Sequence, residues 1–112
     1  MVALASRTHA EPMYTLHIEH PITDYATWKQ AFDRFEAVRA TAGVRAHIIG
    51  RPVDDDHHIV IDLTFDTDDA AGAFLQTLRT RVWADRAASP GLAGDPVTRI
   101  VRTDEQRVLE FD

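Results

Sequence analysis

Two titratable residues, His17 and Asp62, interrupt stretches that otherwise have the pattern of apolar strands, YTLHIEH and HHIVIDLTF. A charge buried without a partner costs on the order of several kcal/mol, so Asp62 must reach solvent, be paired or be kept for chemistry. A carboxylate beside an imidazole fixes the tautomer of the ring and favours its protonated form, which suits a general acid or base. We predict that His17 is a catalytic base oriented by Asp62. The alternative is a structural pair without chemistry.

A third titratable residue, His47, lies on the next predicted strand. Two histidines and a carboxylate are ligands that transition metals accept. However, the sequence has no H-x-H or H-x-x-x-H pair within one element, so we predict no metal site and place His47 in a pocket wall. His20, which precedes Pro21 at a strand end, receives no site role. The sequence contains no cysteine, which excludes thiolate catalysis and disulfides.

The elements that must position these residues follow from hydrophobic periodicity. The alternation in MYTLHIEH predicts a first strand, which Pro21 ends. Thr23 and Asp24 supply a cap for a helix that Gly43 stops, and Thr67 caps a second helix. The apolar stripe of the first helix is Tyr25, Trp28, Phe32, Phe35 and Val38, and that of the second is Ala71, Phe74, Leu75, Leu78 and Val82.

Three more strands complete the predicted order β-α-β-β-α-β. Residues 44–53 and 57–65 form an antiparallel hairpin around the turn DDD, and VTRIVR forms the fourth strand. RVLEF is a short fifth strand or a tail that packs on a partner. This is the α+β, ferredoxin-like plan, in which two helices cover one face of a four-stranded antiparallel sheet and the first and third strands are neighbours.

Length and charge bound the classes of function. The 112 residues suffice for one domain, which we place at residues 13–112 after a flexible leader at residues 1–12. A net charge of −6, with arginines scattered among acids, argues against nucleic acid as a partner. No apolar run approaches the roughly 18 residues that cross a membrane, and no convincing secretory signal is present. We expect a cytoplasmic protein.

Strand alternation divides the sheet into a mixed face and an apolar face. The mixed set is Thr15, His17, Glu19, Arg45, His47, Ile49, Arg51, His58, Val60, Asp62 and Thr64. The apolar set is Tyr14, Leu16, Ile18, Val44, Ala46, Ile48, Ile59, Ile61, Leu63 and Phe65. Both sets indicate at least partial burial, yet the helices of one chain cover one face. We therefore predict a homodimer in which two sheets meet face to face.

The hairpin, its acidic turn, the following strand, the FDT cap and the helix start DDAAGAFL resemble the dimeric α+β barrel superfamily, specifically its antibiotic-biosynthesis-monooxygenase-like branch. The resemblance covers residues 13–102. It implies a pocket between each subunit's sheet and helices, and a barrel built from the sheets of two subunits. It also implies a cofactor-independent, monooxygenase-like enzyme for a small aromatic or polyketide-like substrate. The alternative is a non-catalytic small-molecule-binding or accessory protein.

The resemblance bears on which face lines the pocket. It favours the mixed set, with His17, His47 and Asp62, under the helices, and the apolar set at the dimer interface. Periodicity alone leaves both assignments open. A further hypothesis is that the mixed face only specifies the dimer.

Haem degradation is disfavoured by the same resemblance. The haem-degrading relatives carry an aromatic residue on the second helix and, nine positions later, the histidine that ligates iron. Phe74 fits the first position, but Trp83 occupies the second and cannot ligate iron. We predict instead that Trp28, Phe74 and Trp83 wall an aromatic pocket. Arg99, or Arg45, would bind an anionic oxygen there, although core packing and surface placement remain the alternatives.

Overall fold

The computed structural model describes residues 13–109, so the predicted leader at residues 1–12 and the end of the predicted tail lie outside the described residues. Its elements are β1 (Tyr14–Pro21), α1 (Tyr25–Arg34), α2 (Glu36–Ala42), β2 (Ala46–Gly50), β3 (His58–Phe65), α3 (Asp68–Thr77), a π-helical turn (Leu78–Val82) and β4 (Val97–Arg102). Within these residues no helix is long and apolar enough to cross a membrane. The α+β prediction and the order of the strands are confirmed.

The four strands form one antiparallel sheet in the order β2-β3-β1-β4. The first and third strands are central neighbours, as predicted. Their register pairs His17 with Asp62, and the register of β1 with β4 pairs His17 with Arg99. Residues that pair directly across strands share a face. The three side chains therefore belong to the same side of the sheet.

The helices cover the apolar face of the sheet. The residues of β1 and β3 buried beneath them are Leu16, Ile18, Ile59, Ile61, Leu63 and Phe65. The expectation that His17 and Asp62 lie under the helices is therefore wrong. The helices present Trp28, Ala71 and Phe74 to the sheet. Packing these apolar side chains against aliphatic residues stabilises the fold, whereas a carboxylate in the same place would find no hydrogen-bond partner. The mixed face is left as the open face of the sheet.

Strand β2 is shorter than predicted and differs in phase from the prediction. It pairs His47 with Leu63 and Ile48 with Asp62. His47 therefore lies on the helix side, and Ile48 lies on the open face, so the predicted grouping of His47 with His17 is wrong. In this register Ile49, on the same side as His47, pairs with Ile61 and packs against the core.

The predicted first helix is broken into two at Phe35, whose φ of −97° and ψ of 18° are not helical. Gly43 ends α2 in the left-handed conformation at φ 97°, which confirms the predicted stop. Val38, predicted on the buried stripe, is exposed, and the adjacent Arg39 is buried instead.

The second predicted helix ends earlier than expected. Thr67 caps α3 by accepting a hydrogen bond from the Ala70 backbone N–H at 3.1 Å, as predicted. After Thr77 the helix widens into the π-helical turn, in which the Trp83 N–H donates to the Leu78 carbonyl at 2.7 Å. This wider turn positions the Trp83 side chain. Strand β4 has the predicted bounds, and residues 107–109 form no strand.

Candidate active site

A cavity of about 70 Å³ lies between the helix side of the sheet and the helices. Its walls are mostly aromatic and aliphatic, and they include Trp28, Phe32, Phe35, Phe74 and Trp83. The structure thus places three of the predicted pocket residues, Trp28, Phe74 and Trp83, around one space. The Trp28 and Phe32 rings stack with their centroids 5.0 Å apart, which fixes the orientation of this wall.

His20 is a polar group in this apolar cavity, and it is 2% exposed. Its Nδ1 atom lies 2.8 Å from the Pro21 carbonyl oxygen. Because a carbonyl oxygen only accepts, Nδ1 carries the proton and Nε2 holds the lone pair of the neutral ring. Burial lowers the pKa of His20 from its usual 6.5, so the ring is neutral at pH 7. The cavity therefore contains an imidazole able to accept a proton.

Trp83 packs against the His20 ring. The two ring centroids are 6.5 Å apart and the rings meet at 71°, an edge-to-face contact. Both residues line the cavity. The π-helical turn that positions Trp83 thus also sets the environment of the imidazole.

Arg39 is a second polar residue of the cavity wall, and it is 7% exposed. Its Nη1 atom donates to the Phe32 carbonyl at 2.5 Å, and its Cζ atom lies 3.6 Å from the centroid of the Phe32 ring. Burial lowers the pKa of Arg39 from its usual value, whereas the nearby charges of Asp33 and Glu36 act in the opposite direction. An arginine remains charged at neutral pH, so the cavity wall carries a positive charge.

On the open face, His17 and Asp62 form the predicted pair, with 2.6 Å between Nδ1 and Oδ1. The other ring nitrogen, Nε2, lies 2.8 Å from Oε2 of Glu19. Glu19 also accepts from Nε2 of His58 at 3.0 Å. We call His17, Glu19, His58 and Asp62 the open-face network. Glu19 was not predicted to take part in it.

The two carboxylates determine the charge of His17. Carboxylates only accept hydrogen bonds, so both ring nitrogens donate and the ring is an imidazolium. The hydrogen bonds to Glu19 and Asp62 raise the pKa of His17 above 6.5. The pKa of Glu19 is lowered by its hydrogen bonds to His17 and His58. In this arrangement His17 has no lone pair for a proton. The catalytic roles of His17 and Asp62 stay a prediction.

Two residues predicted to line the pocket do not line this cavity. The exposed His47 meets the Phe32 ring edge-on, with centroids 5.2 Å apart, because β2 is shifted in phase. Arg99 is exposed on the open face, opposite His17. Arg45 is also exposed, and it donates to Asp66 at 2.7 Å. These placements correct the prediction for His47 and Arg99. Among residues 13–109, no three His, Asp or Glu side chains are grouped to hold a metal ion.

His20 and Arg39 were missed as site residues. Parity along the first strand could have identified His20, because it alternates in step with Leu16 and Ile18. Helical spacing could have identified Arg39, because it follows Trp28, Phe32 and Phe35 on one face of a continuous helix.

No protein-family model matches the chain, and no curated protein matches it in sequence. Solved structures do share its fold. A putative antibiotic biosynthesis monooxygenase from Bordetella bronchiseptica superposes with a TM-score of 0.66 at 16% identity, over 88% of this chain and 100% of that one. A dimeric ferredoxin-like protein from an uncultured marine organism gives 0.61 at 8% identity, over 89% and 95% of the two chains.

A third structure is the monooxygenase from the gene ActVA-Orf6 of Streptomyces coelicolor, in complex with the ligand nanaomycin D. Its TM-score is 0.58 at 17% identity, over 88% of this chain and 92% of that one. The chain therefore has the fold of antibiotic-biosynthesis-monooxygenase-like structures. A dimeric ferredoxin-like protein shares this fold. This confirms, at the level of fold, the resemblance drawn from the sequence.

Proposed function

We propose that the protein is a monooxygenase-like enzyme that binds a small aromatic or polyketide-like molecule in the cavity between its sheet and helices and acts without a bound cofactor. The observation that carries the proposal is the buried neutral imidazole of His20, whose Nε2 lone pair is unpaired among residues 13–109. The aromatic walls suit a flat ligand. The fold shared with a monooxygenase that holds nanaomycin D supports the same class.

The proposed first step is proton transfer. An aromatic hydroxyl gives its proton to Nε2 of His20, so the O–H bond breaks, an N–H bond forms, and a phenolate faces an imidazolium. The electron-rich ring is then oxidised by O₂, which is the co-reactant. For a naphthol the reaction balances as one naphthol and one O₂ giving one naphthoquinone and one water. The substrate supplies all the electrons that reduce O₂.

The cavity must widen to bind such a substrate. Its volume of about 70 Å³ is below the roughly 300–1,000 Å³ typical of ligand pockets. The wall includes Phe35, at the break between the two helices, and Ser89, in the loop that follows the π-helical turn. Neither residue belongs to a helix or strand interior, so both can move without breaking a regular element.

The test uses 1-naphthol with O₂, followed by oxygen uptake and quinone absorbance. We expect turnover by the wild type and a loss of at least about a hundredfold in His20→Gln, because general base catalysis contributes about that much or more. Glutamine keeps an N–H donor for the Pro21 carbonyl, which preserves the fold. His17→Ala is the matched control and should keep turnover.

Two outcomes would contradict this assignment. Loss of turnover in His17→Ala together with normal activity in His20→Gln would return the chemistry to His17 and Asp62. The second outcome is that the wild type binds 1-naphthol tightly but takes up no oxygen with 1-naphthol or with dihydroxynaphthalenes. This result would support the alternative of a non-catalytic binding or accessory protein.

We also propose that the protein is a homodimer joined through the open face. Apolar side chains are exposed there, with Ile48 71% and Val97 68% accessible. Charges do not oppose the contact, because the imidazolium of His17 and the guanidinium of Arg99 offset Glu19 and Asp62. A two-fold contact would therefore bring together copies of a face that is near neutral. The dimeric ferredoxin-like protein of the same fold supports this arrangement.

A further inference from the structure

Arg39 is buried without an ion pair. Among residues 13–109, no carboxylate lies within ion-pairing distance of its guanidinium. Its recorded hydrogen-bond partner is the Phe32 carbonyl. A guanidinium has five N–H donors, so most of them remain available. Because Arg39 lines the cavity, this donor capacity lies at the cavity wall.

Three of the exposed arginines, by contrast, have a carboxylate partner. Arg45 pairs with Asp66, Arg51 with Asp56, and Arg102 with Asp104. Burial makes a charge more costly and a partner more valuable, so the opposite distribution would be expected. The protein thus leaves one of its most buried cations without a carboxylate.

The groups that hold Arg39 stabilise a cation only partly. The Phe32 carbonyl lies at the carboxyl end of α1, where the helix dipole favours positive charge. The face of the Phe32 ring adds a cation–π contact. Both contacting partners are neutral, and Asp33 and Glu36 favour the charge only from beyond ion-pairing distance, so no carboxylate contacts the guanidinium. An anion in the cavity would balance it.

We infer that the ligand of the cavity is an aromatic molecule with one ionised oxygen group, a carboxylate or a phenolate, and that Arg39 pairs with this group. The inference rests on the proposed function of the same cavity and names its substrate class. The ring of the ligand contacts the aromatic walls, and its oxygen accepts from the free N–H groups of Arg39. Arg39 is then a binding residue for the substrate.

The pairing also has a consequence for the proposed proton step. A phenol that loses its proton to Nε2 of His20 becomes an anion in an apolar space, where a charge is costly and a further cation beside the imidazolium lowers that cost. The guanidinium stabilises that phenolate. His20 accepts the proton and Arg39 stabilises the charge that remains, so the two polar residues have separate roles.

The test compares two probes of nearly the same shape, 2-naphthoate and 2-naphthamide, by isothermal titration calorimetry. We expect the wild type to bind the naphthoate at least about tenfold more tightly than the amide, because a charge-assisted hydrogen bond is worth at least that factor. Arg39→Gln should remove the preference while keeping an N–H donor for the Phe32 carbonyl. Arg34→Met, which removes an exposed charge outside the cavity, should keep it.

The outcomes separate this inference from the proposed function. Equal affinity of the wild type for the two probes, or a preference that survives in both Arg39→Gln and Arg39→Met, overturns the role of Arg39 but leaves the cavity as a binding site. Failure of both probes to bind the wild type overturns the cavity itself.

A second arm distinguishes the two anions with 4-nitrophenol, whose ionised form absorbs visible light. A lowered pKa of the bound phenol identifies phenolate recognition. An unchanged pKa together with tight naphthoate binding assigns Arg39 to carboxylates. Both results support pairing with an ionised oxygen, and a raised pKa of the bound phenol contradicts it.

Discussion

The two sides of one sheet give two histidines of one strand opposite properties. His20 and His17 are both on β1, three residues apart, and so point to opposite faces. On the helix side His20 is buried and neutral, and it lines the cavity. On the open side His17 is held as an imidazolium by two carboxylates. Both side chains are imidazoles with the same intrinsic chemistry. Only their surroundings make one a base and the other a cation.

The physical cause differs on the two sides. Burial among apolar side chains disfavours the charged form of an imidazole, whereas hydrogen bonds to carboxylates favour it. The first effect dominates at His20 and the second at His17. The helix side is therefore suited to chemistry that needs a neutral base, and the open side to a contact that needs a defined set of charges.

The largest difference between the two sides should be in stability. Leu63→Ala removes a side chain buried under the helices and should lower the free energy of unfolding by about 2–5 kcal/mol. Thr64→Ala, the next residue on the open side, should change it by less than about 1 kcal/mol. Urea denaturation followed by circular dichroism measures both. Comparable losses would mean that the two faces are equally buried.

The second expected effect is on assembly. Ile48→Asp places a carboxylate beside Asp62 on the open face and should weaken the proposed dimer by about 2–5 kcal/mol, roughly 30-fold or more in its dissociation constant. His47→Asp adds a charge one residue away on the opposite side and should leave the dimer intact. Analytical ultracentrifugation separates the two. A wild type that is monomeric at high concentration would refute the dimer.

The smallest effect is the opposite titration of the two histidines, which NMR of the imidazole C–H protons resolves. The pKa of His17 should lie above 6.5 and that of His20 below it. The stabilising effect of His17 is thus complete below pH 6.5 and is lost as the pH rises through its folded-state pKa. His20 does not affect stability above pH 6.5, because the ring is then neutral in both the folded and the unfolded chain. Below that pH the unfolded chain binds the proton more readily, so the free energy of unfolding falls.

The proposed dimer should follow the same direction as His17. The groups around its ring are Glu19, Asp62, His58 and Arg99. When His17 loses its proton, the two carboxylates outweigh Arg99, and two copies of the face repel one another. Dimer dissociation should therefore increase as the pH rises through the folded-state pKa of His17, which lies above 6.5. Asp62→Asn should lower the pKa of His17, and an unchanged value would show that Asp62 does not hold the ring.

Much of the fold could be predicted because its signals are local. Strand alternation, the Thr67 cap, the Gly43 stop and the bounds of β4 depend on neighbours in the sequence, and the structure contains all of them. The pairing of His17 with Asp62 was also predictable once β1 and β3 were taken as neighbours. The broken helix at Phe35 and the π-helical turn before Trp83 were not predictable, because neither place has a proline or glycine that would signal a departure from the α-helix.

The sequence by itself determined which residues of each strand share a side, since a strand alternates with a period of two residues. It did not determine which side the helices cover, because that depends on what their apolar stripes meet, nor the phase of β2, because a shift of one residue reverses its sides. Tertiary structure therefore decided that His20, rather than His17, reaches the cavity. Helical spacing puts Arg39 on the stripe of Trp28 and Phe32, but only the packing of that stripe on the sheet encloses a cavity beside it.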